Sequence, residues 1–125
     1  MVFDTDVLIW ALRGSSKAAR AIDQQESRSL SVVSYMELLQ GALDKNEVKL
    51  IKALLADCRF NALALSENIG HRASIYMEEY GLSAGLEMAD ALIAATAVEN
   101  HDSLLTGNAR HYRMIRELAV SSFRP

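Results

Sequence analysis

Apolar positions in this chain fall into two kinds of run. Short blocks at Met1-Val2-Phe3, Leu30 to Val33, Phe60 to Leu65 and Ser103 to Thr106 read as strands, with a fifth at Leu118 to Phe123. Longer stretches repeat with helical spacing. A helix starts near Val7, and Ser15 to Gln25 forms another, capped by Ser15 or Ser16. Ser34 to Leu43 reads as a helix that stops near Asp44-Lys45-Asn46. From Glu47 onward, Val48, Ile51, Leu54, Leu55 and Cys58 share a helical face. Ser66 caps a helix whose apolar face is Ile69, Ala73, Tyr76, Met77 and Tyr80. Gly81 and Gly85 bracket a loop, and Met88 to Asn100 is an alanine-rich helix. Gly107-Asn108 ends the fourth strand.

Short strands separated by helices predict one α/β domain over residues 1–125. Its expected core is a mostly parallel sheet of four or five strands, covered on both faces in an α/β/α sandwich. Such sheets bind ligands beyond the carboxyl ends of their strands. The polar residues placed there are Asp4, Thr5 and Asp6 after strand 1, Ser34 to Glu37 after strand 2, and Thr106 with Asn108 after strand 4.

Composition narrows the choice of chemistry. Among 125 residues, 13 Lys and Arg face 16 Asp and Glu, a net charge of −3. That balance excludes a protein that coats nucleic acid with positive charge, and a polybasic membrane binder. The charge is unevenly placed: residues 109–125 hold Arg110, Arg113, Arg116 and Arg124 against Glu117 alone. This basic end either contacts an anion or is a solvated surface. The single cysteine, Cys58, excludes an internal disulfide framework and a Cys-rich zinc site, and fits a reducing, cytoplasmic setting. Residues 1–12 lack the basic start of a signal peptide, and no apolar run approaches the roughly 20 residues that cross a bilayer. His71, His101 and His111 are too scattered for a zinc site, and no GxxxxGK[ST], GxGxxG or GxSxG pattern occurs.

The acids carry the chemistry, and each has a structural alternative. Asp4 directly follows a buried strand, where a carboxylate must be hydrated, paired or bound to a cation. Capping the first helix is its alternative, although Asp6, just before Val7-Leu8-Ile9-Trp10, is better placed to cap. Glu37 completes an S-x-x-E capping box with Ser34. Asp90 is an N-cap or first-turn acid of the helix at 88–100. Alanines at 91, 94, 95 and 97 let that helix lie close to the sheet and bring Asp90 near the strand ends.

Four segments in order, F-D-T-D-V-L-I at 3–9, S-Y-M-E-L-L-Q-G-A at 34–42, M-A-D-A-L-I-A-A-T-A at 88–97 and L-L-T-G-N-A-R-H-Y at 104–112, resemble the PIN-domain ribonucleases. In size the chain looks like the VapC-type toxins of toxin–antitoxin pairs. The resemblance implies a PIN-like fold and metal-assisted hydrolysis of RNA phosphodiester bonds. It implies an acidic cluster of Asp4, Glu37 and Asp90, with Asp4 and Asp90 holding Mg²⁺ or Mn²⁺ and Glu37 binding the metal through water or helping to place the attacking water. Thr106 matches the family's hydroxyl residue, and Asp6, Asn108 and Arg110 would be accessory or substrate-positioning residues. Many relatives carry Asn at the place of Asp6 and a fourth acid at the place of Asn108. The second departure favours one tightly held metal, with another arriving alongside RNA. A VapB-type antitoxin laid along an apolar groove is implied, as is a homodimer or hetero-oligomer. Two alternatives remain. One is a HAD-like phosphatase using Asp4 and Asp6 as a D-x-D pair, although no later Asp-Asp pair or suitably placed lysine supports it. The other is a catalytically degenerate PIN binding module.

Overall fold

The computed structural model describes residues 1–125. Five strands, β1 (Val2–Phe3), β2 (Ser29–Ser31), β3 (Asn61–Leu63), β4 (Leu104–Thr106) and β5 (Val120–Ser122), pair in parallel throughout. Their order is β3-β2-β1-β4-β5. The chain therefore builds outward from β1 on one side, then returns to its other side for β4. The direction of winding reverses between β1 and β4, and a parallel sheet opens its ligand crevice there, beyond the carboxyl ends.

Six helices cover the sheet: α1 (Thr5–Leu12), α2 (Ser16–Asp23), α3 (Val32–Gln40), α4 (Lys45–Asp57), α5 (Glu67–Tyr80) and α6 (Met88–Glu99). Successive strand residues point to opposite faces, so the central strands β1 and β4 each feed two cores. Phe3 and Leu105 pack with Leu8, Ile22, Leu38 and Ile51 on one face. Val2 and Leu104 pack with Ile69, Tyr76, Ala91 and Ala94 on the other. On α6, Ala91, Ala94, Ala95 and Ala97 are fully buried. Small side chains there allow close approach, and Asp90 sits in that helix's first turn.

Two expected helix starts are displaced. The cap of α1 is Asp4, not Asp6: its carboxylate accepts from Thr5 N at 2.8 Å, and Asp6 lies inside the first turn. The helix begins one residue after β1, so the first free amides face Asp4. Likewise, β2 ends at Ser31 and Val32-Val33 already belong to α3. Ser31 caps that helix through Val33 N at 3.1 Å. Ser34 is therefore interior, fully buried, with its hydroxyl unpartnered. The Ser34–Glu37 capping box does not form, which leaves Glu37 free for another partner.

Candidate active site

Asp4 lies at the carboxyl end of β1, buried to 6% exposure. Besides the Thr5 amide, its carboxylate accepts from Thr106 Oγ1 at 2.7 Å and Tyr112 OH at 3.0 Å. Thr106 ends β4, across the reversal point, so two neighbouring strands deliver a carboxylate and a hydroxyl to one spot. Its hydroxyl also accepts from Asn108 N at 3.0 Å, which ties the following loop down.

Asp90 enters from α6. The same Tyr112 hydroxyl lies 3.2 Å from Asp90 Oδ1, so one phenol bridges the two carboxylates. His111 Nδ1 stands 3.9 Å from Asp90 Oδ2. Glu37 accepts from Thr5 Oγ1 at 2.7 Å, one residue along from Asp4. Asp6 turns toward the loop after β4, accepting from Gly107 N at 2.8 Å and Asn108 Nδ2 at 3.2 Å. A Cβ on Gly107 would collide with that carboxylate, so a side chain here would push Asp6 off the loop.

These acids disturb one another. Burial, then the charge of Asp4, pushes Asp6 up to about 6. Burial and Asp4 likewise raise Asp90 above the usual carboxylate range. The Tyr112 phenol is raised too, by burial and by both carboxylates, which keeps it a neutral donor. Carboxylates that resist ionisation side by side suit a hard cation, which takes oxygen ligands. No three or more Asp, Glu, His or Cys side chains close into a ready cage. Asp4 and Asp90 are a donor set of the kind a hydrated hard cation accepts, since Mg²⁺ is held by one or two carboxylates and keeps several waters.

A polar cleft of about 460 Å³ opens beside Asp90, lined by Gly85, Leu86, Glu87, Arg110 and His111. Arg110 is thus beside the carboxylates, but the basic end is not one patch. Arg116 faces Ile75 and Tyr80 on another surface, and Arg124 adjoins Lys17 and Arg20 on α2. Sequence reasoning assigned no role to Tyr112. Its signal was a tyrosine just past the loop after β4, because a buried phenol requires a partner.

A family model described as PIN domain matches residues 1–117. The chain belongs to the PIN domain family. Among solved structures, a toxin–antitoxin complex from Klebsiella pneumoniae is 28% identical, with a TM-score of 0.78, over 97% of this chain and 95% of that one. VapBC-1 from nontypeable Haemophilus influenzae is 21% identical, with a TM-score of 0.81, over 98% of each chain. VapBC2 from Rickettsia felis, bound to a DNA fragment from its promoter, is 16% identical, with a TM-score of 0.81, over 99% of this chain and 100% of that one. The last two likenesses are of fold. No curated protein matches the sequence. No helix of this PIN domain is long and apolar enough to cross a membrane.

Proposed function

We propose that this PIN domain is a metal-dependent endoribonuclease, the cytoplasmic toxin of a VapBC-type toxin–antitoxin pair. The observation that carries the reading is the meeting of Asp4 and Asp90 on one phenol, at the point where the PIN sheet reverses its winding.

Asp4 and Asp90 are the residues that would hold Mg²⁺ or Mn²⁺. When bound, such a cation acidifies a water and neutralises charge on the attacked phosphate. The protein's own groups do the rest. Glu37, steadied by Thr5, takes the proton as the water oxygen bonds to phosphorus. The phosphorus–oxygen bond to the leaving ribose oxygen breaks, and that oxygen takes up a proton from solvent water. Thr106 fixes the Asp4 carboxylate, and Asn108 and Asp6 hold the loop beneath it. Arg110, exposed in the adjoining cleft, offers a bidentate fork to a flanking phosphate. The D-x-D phosphatase arrangement lacks support, because Asp6 is tied to Gly107 and Asn108.

The antitoxin reading draws on the complexes above and on an apolar groove. Ile9, Leu12, Leu38, Leu50 and Ile51 line about 310 Å³ between α1, α3 and α4, with Arg13 and Glu47 beside them. Leu50 is 61% exposed, an apolar side chain offered to a partner.

The test is RNA cleavage by partner-free protein in Mg²⁺, Mn²⁺ or EDTA. Asp4→Asn and Asp90→Asn should each lose at least about 100-fold in rate, as loss of a metal-site group does, and EDTA should abolish cleavage. Undiminished cleavage by these variants, or in EDTA, sinks the reading. Turnover of a small phosphomonoester through an aspartyl-phosphate would favour the HAD-like alternative.

A further inference from the structure

A second basic cleft connects to the carboxylate site through Asp6 rather than Asp90. Lys17 and Arg20 of α2 meet Arg124, just after β5, across a cleft of about 350 Å³, with Gln24, Gln25 and Ser122 alongside. All three cations are exposed, and none is paired with an acid. No acidic residue lines the cleft.

This cleft is tied to the site by backbone. Phe123 N donates to Thr106 O at 2.8 Å, so the chain leading into Arg124 runs beside the end of β4. The next residue, Gly107, holds Asp6 and stands close to Phe123 O. Contacts therefore run from His111 to Asp90, through Tyr112 to Asp4, and from the neighbouring Asp6 through Gly107 to the segment that carries Arg124.

We infer that the Lys17–Arg20–Arg124 cleft binds RNA backbone phosphates on the Asp6 side of the scissile bond, opposite Arg110. This rests on the ribonuclease reading. The reason is electrostatic. A chain of net charge −3 that gathers carboxylates at its site repels a polyanion there, so affinity must come from cations to either side. Lys17 and Arg20 are three residues apart on one helix, about 5–6 Å between Cβ atoms. They present a row of charge to a repeating anion rather than one focus for a single carboxylate. The amides and hydroxyl alongside add donors suited to phosphate oxygens.

The test separates binding from chemistry. In an Asp90→Asn background, a fluorescent single-stranded oligoribonucleotide is titrated in Mg²⁺ at several salt concentrations. Adding Lys17→Gln, Arg20→Gln and Arg124→Gln together should weaken binding about tenfold. It should also lower the slope of log affinity against log salt by about 2, at roughly 0.7 per contact. With Asp90 restored, the triple variant should raise KM for a long oligoribonucleotide and leave kcat, and turnover of a dinucleotide, unchanged. Unaltered affinity and slope, while the unmodified protein still cleaves RNA, overturn the cleft assignment and spare the nuclease reading. An unmodified protein that neither binds nor cleaves RNA sinks both. Polyglutamate binding that the triple variant loses, with the RNA slope unmoved, would give the cleft to an acidic peptide and overturn the assignment to RNA.

Discussion

Tyr112 has one hydroxyl proton and faces two carboxylates. It is 1% exposed, and its oxygen lies 3.0 Å from Asp4 Oδ2 and 3.2 Å from Asp90 Oδ1. One proton cannot serve both acceptors fully at once, so the phenol acts as a spacer that sets how far apart the two carboxylates rest. Groups that orient metal ligands from behind are worth roughly 10- to 100-fold in affinity. Tyr112→Phe removes only the oxygen and keeps the buried ring. We expect it to weaken Mn²⁺ binding about tenfold, measured by electron paramagnetic resonance of free Mn²⁺, with native circular dichroism retained. Equal Mn²⁺ affinity would make the hydroxyl incidental to the site. Asp4 stood out in the sequence because a carboxylate directly after an apolar strand demands explanation on local grounds, and Asp90 because alanines at 91, 94, 95 and 97 let its helix lie close to the sheet. Tyr112 did not, because its demand is met by residues 108 and 22 positions away.

The start of α3 shows where local pattern and pairing part company. Val32 and Val33 are β-branched and extend an apolar run, so they read as strand. Parallel pairing with β3 stops at Ser31, and the chain turns helical there. Two serines, 31 and 34, stand three residues apart at this junction. The sequence pattern S-x-x-E favours Ser34, and the backbone uses Ser31. The other elements were legible to within a few residues: Ser66 caps α5 as expected, and of the two serines offered for α2 the backbone uses Ser15. The two serines invite opposite outcomes in urea unfolding. Ser31→Ala should cost about 1 kcal/mol, the usual worth of an N-cap. Ser34→Ala removes a buried hydroxyl that has no partner, and should be neutral or stabilising by up to about 1 kcal/mol. The reverse pattern would restore the capping box, and with it the view that Glu37 serves the helix rather than the site.

Across the whole molecule, one ionic network joins the layer that carries Asp90 to the segment that follows Tyr112. Arg72 of α5 reaches Glu99 of α6 at 3.0 Å and Glu117, before β5, at 2.6 Å. The Tyr76 hydroxyl also donates to Glu117. Those two donors, the phenol first and then the guanidinium, hold Glu117 below its ordinary value of 4.5. A carboxylate whose folded value is depressed stabilises the fold above its unfolded value, and that contribution is lost as pH falls through the folded one. The gap in urea stability between the unmodified protein and Glu117→Gln should therefore be widest above pH 4.5 and close as the pH is taken lower. The Glu117 side chain is 48% exposed, so solvent screens the network. Salt should narrow the gap as well, since about 1 M shortens the Debye length to roughly 3 Å. A gap that stays constant from neutral to acid pH would mean that Glu117 acts through packing alone. The segment bearing Tyr112 would then be anchored by its apolar contacts at Ile115 and Leu118, and the spacing of Asp4 and Asp90 would owe nothing to charge on the far side of α6.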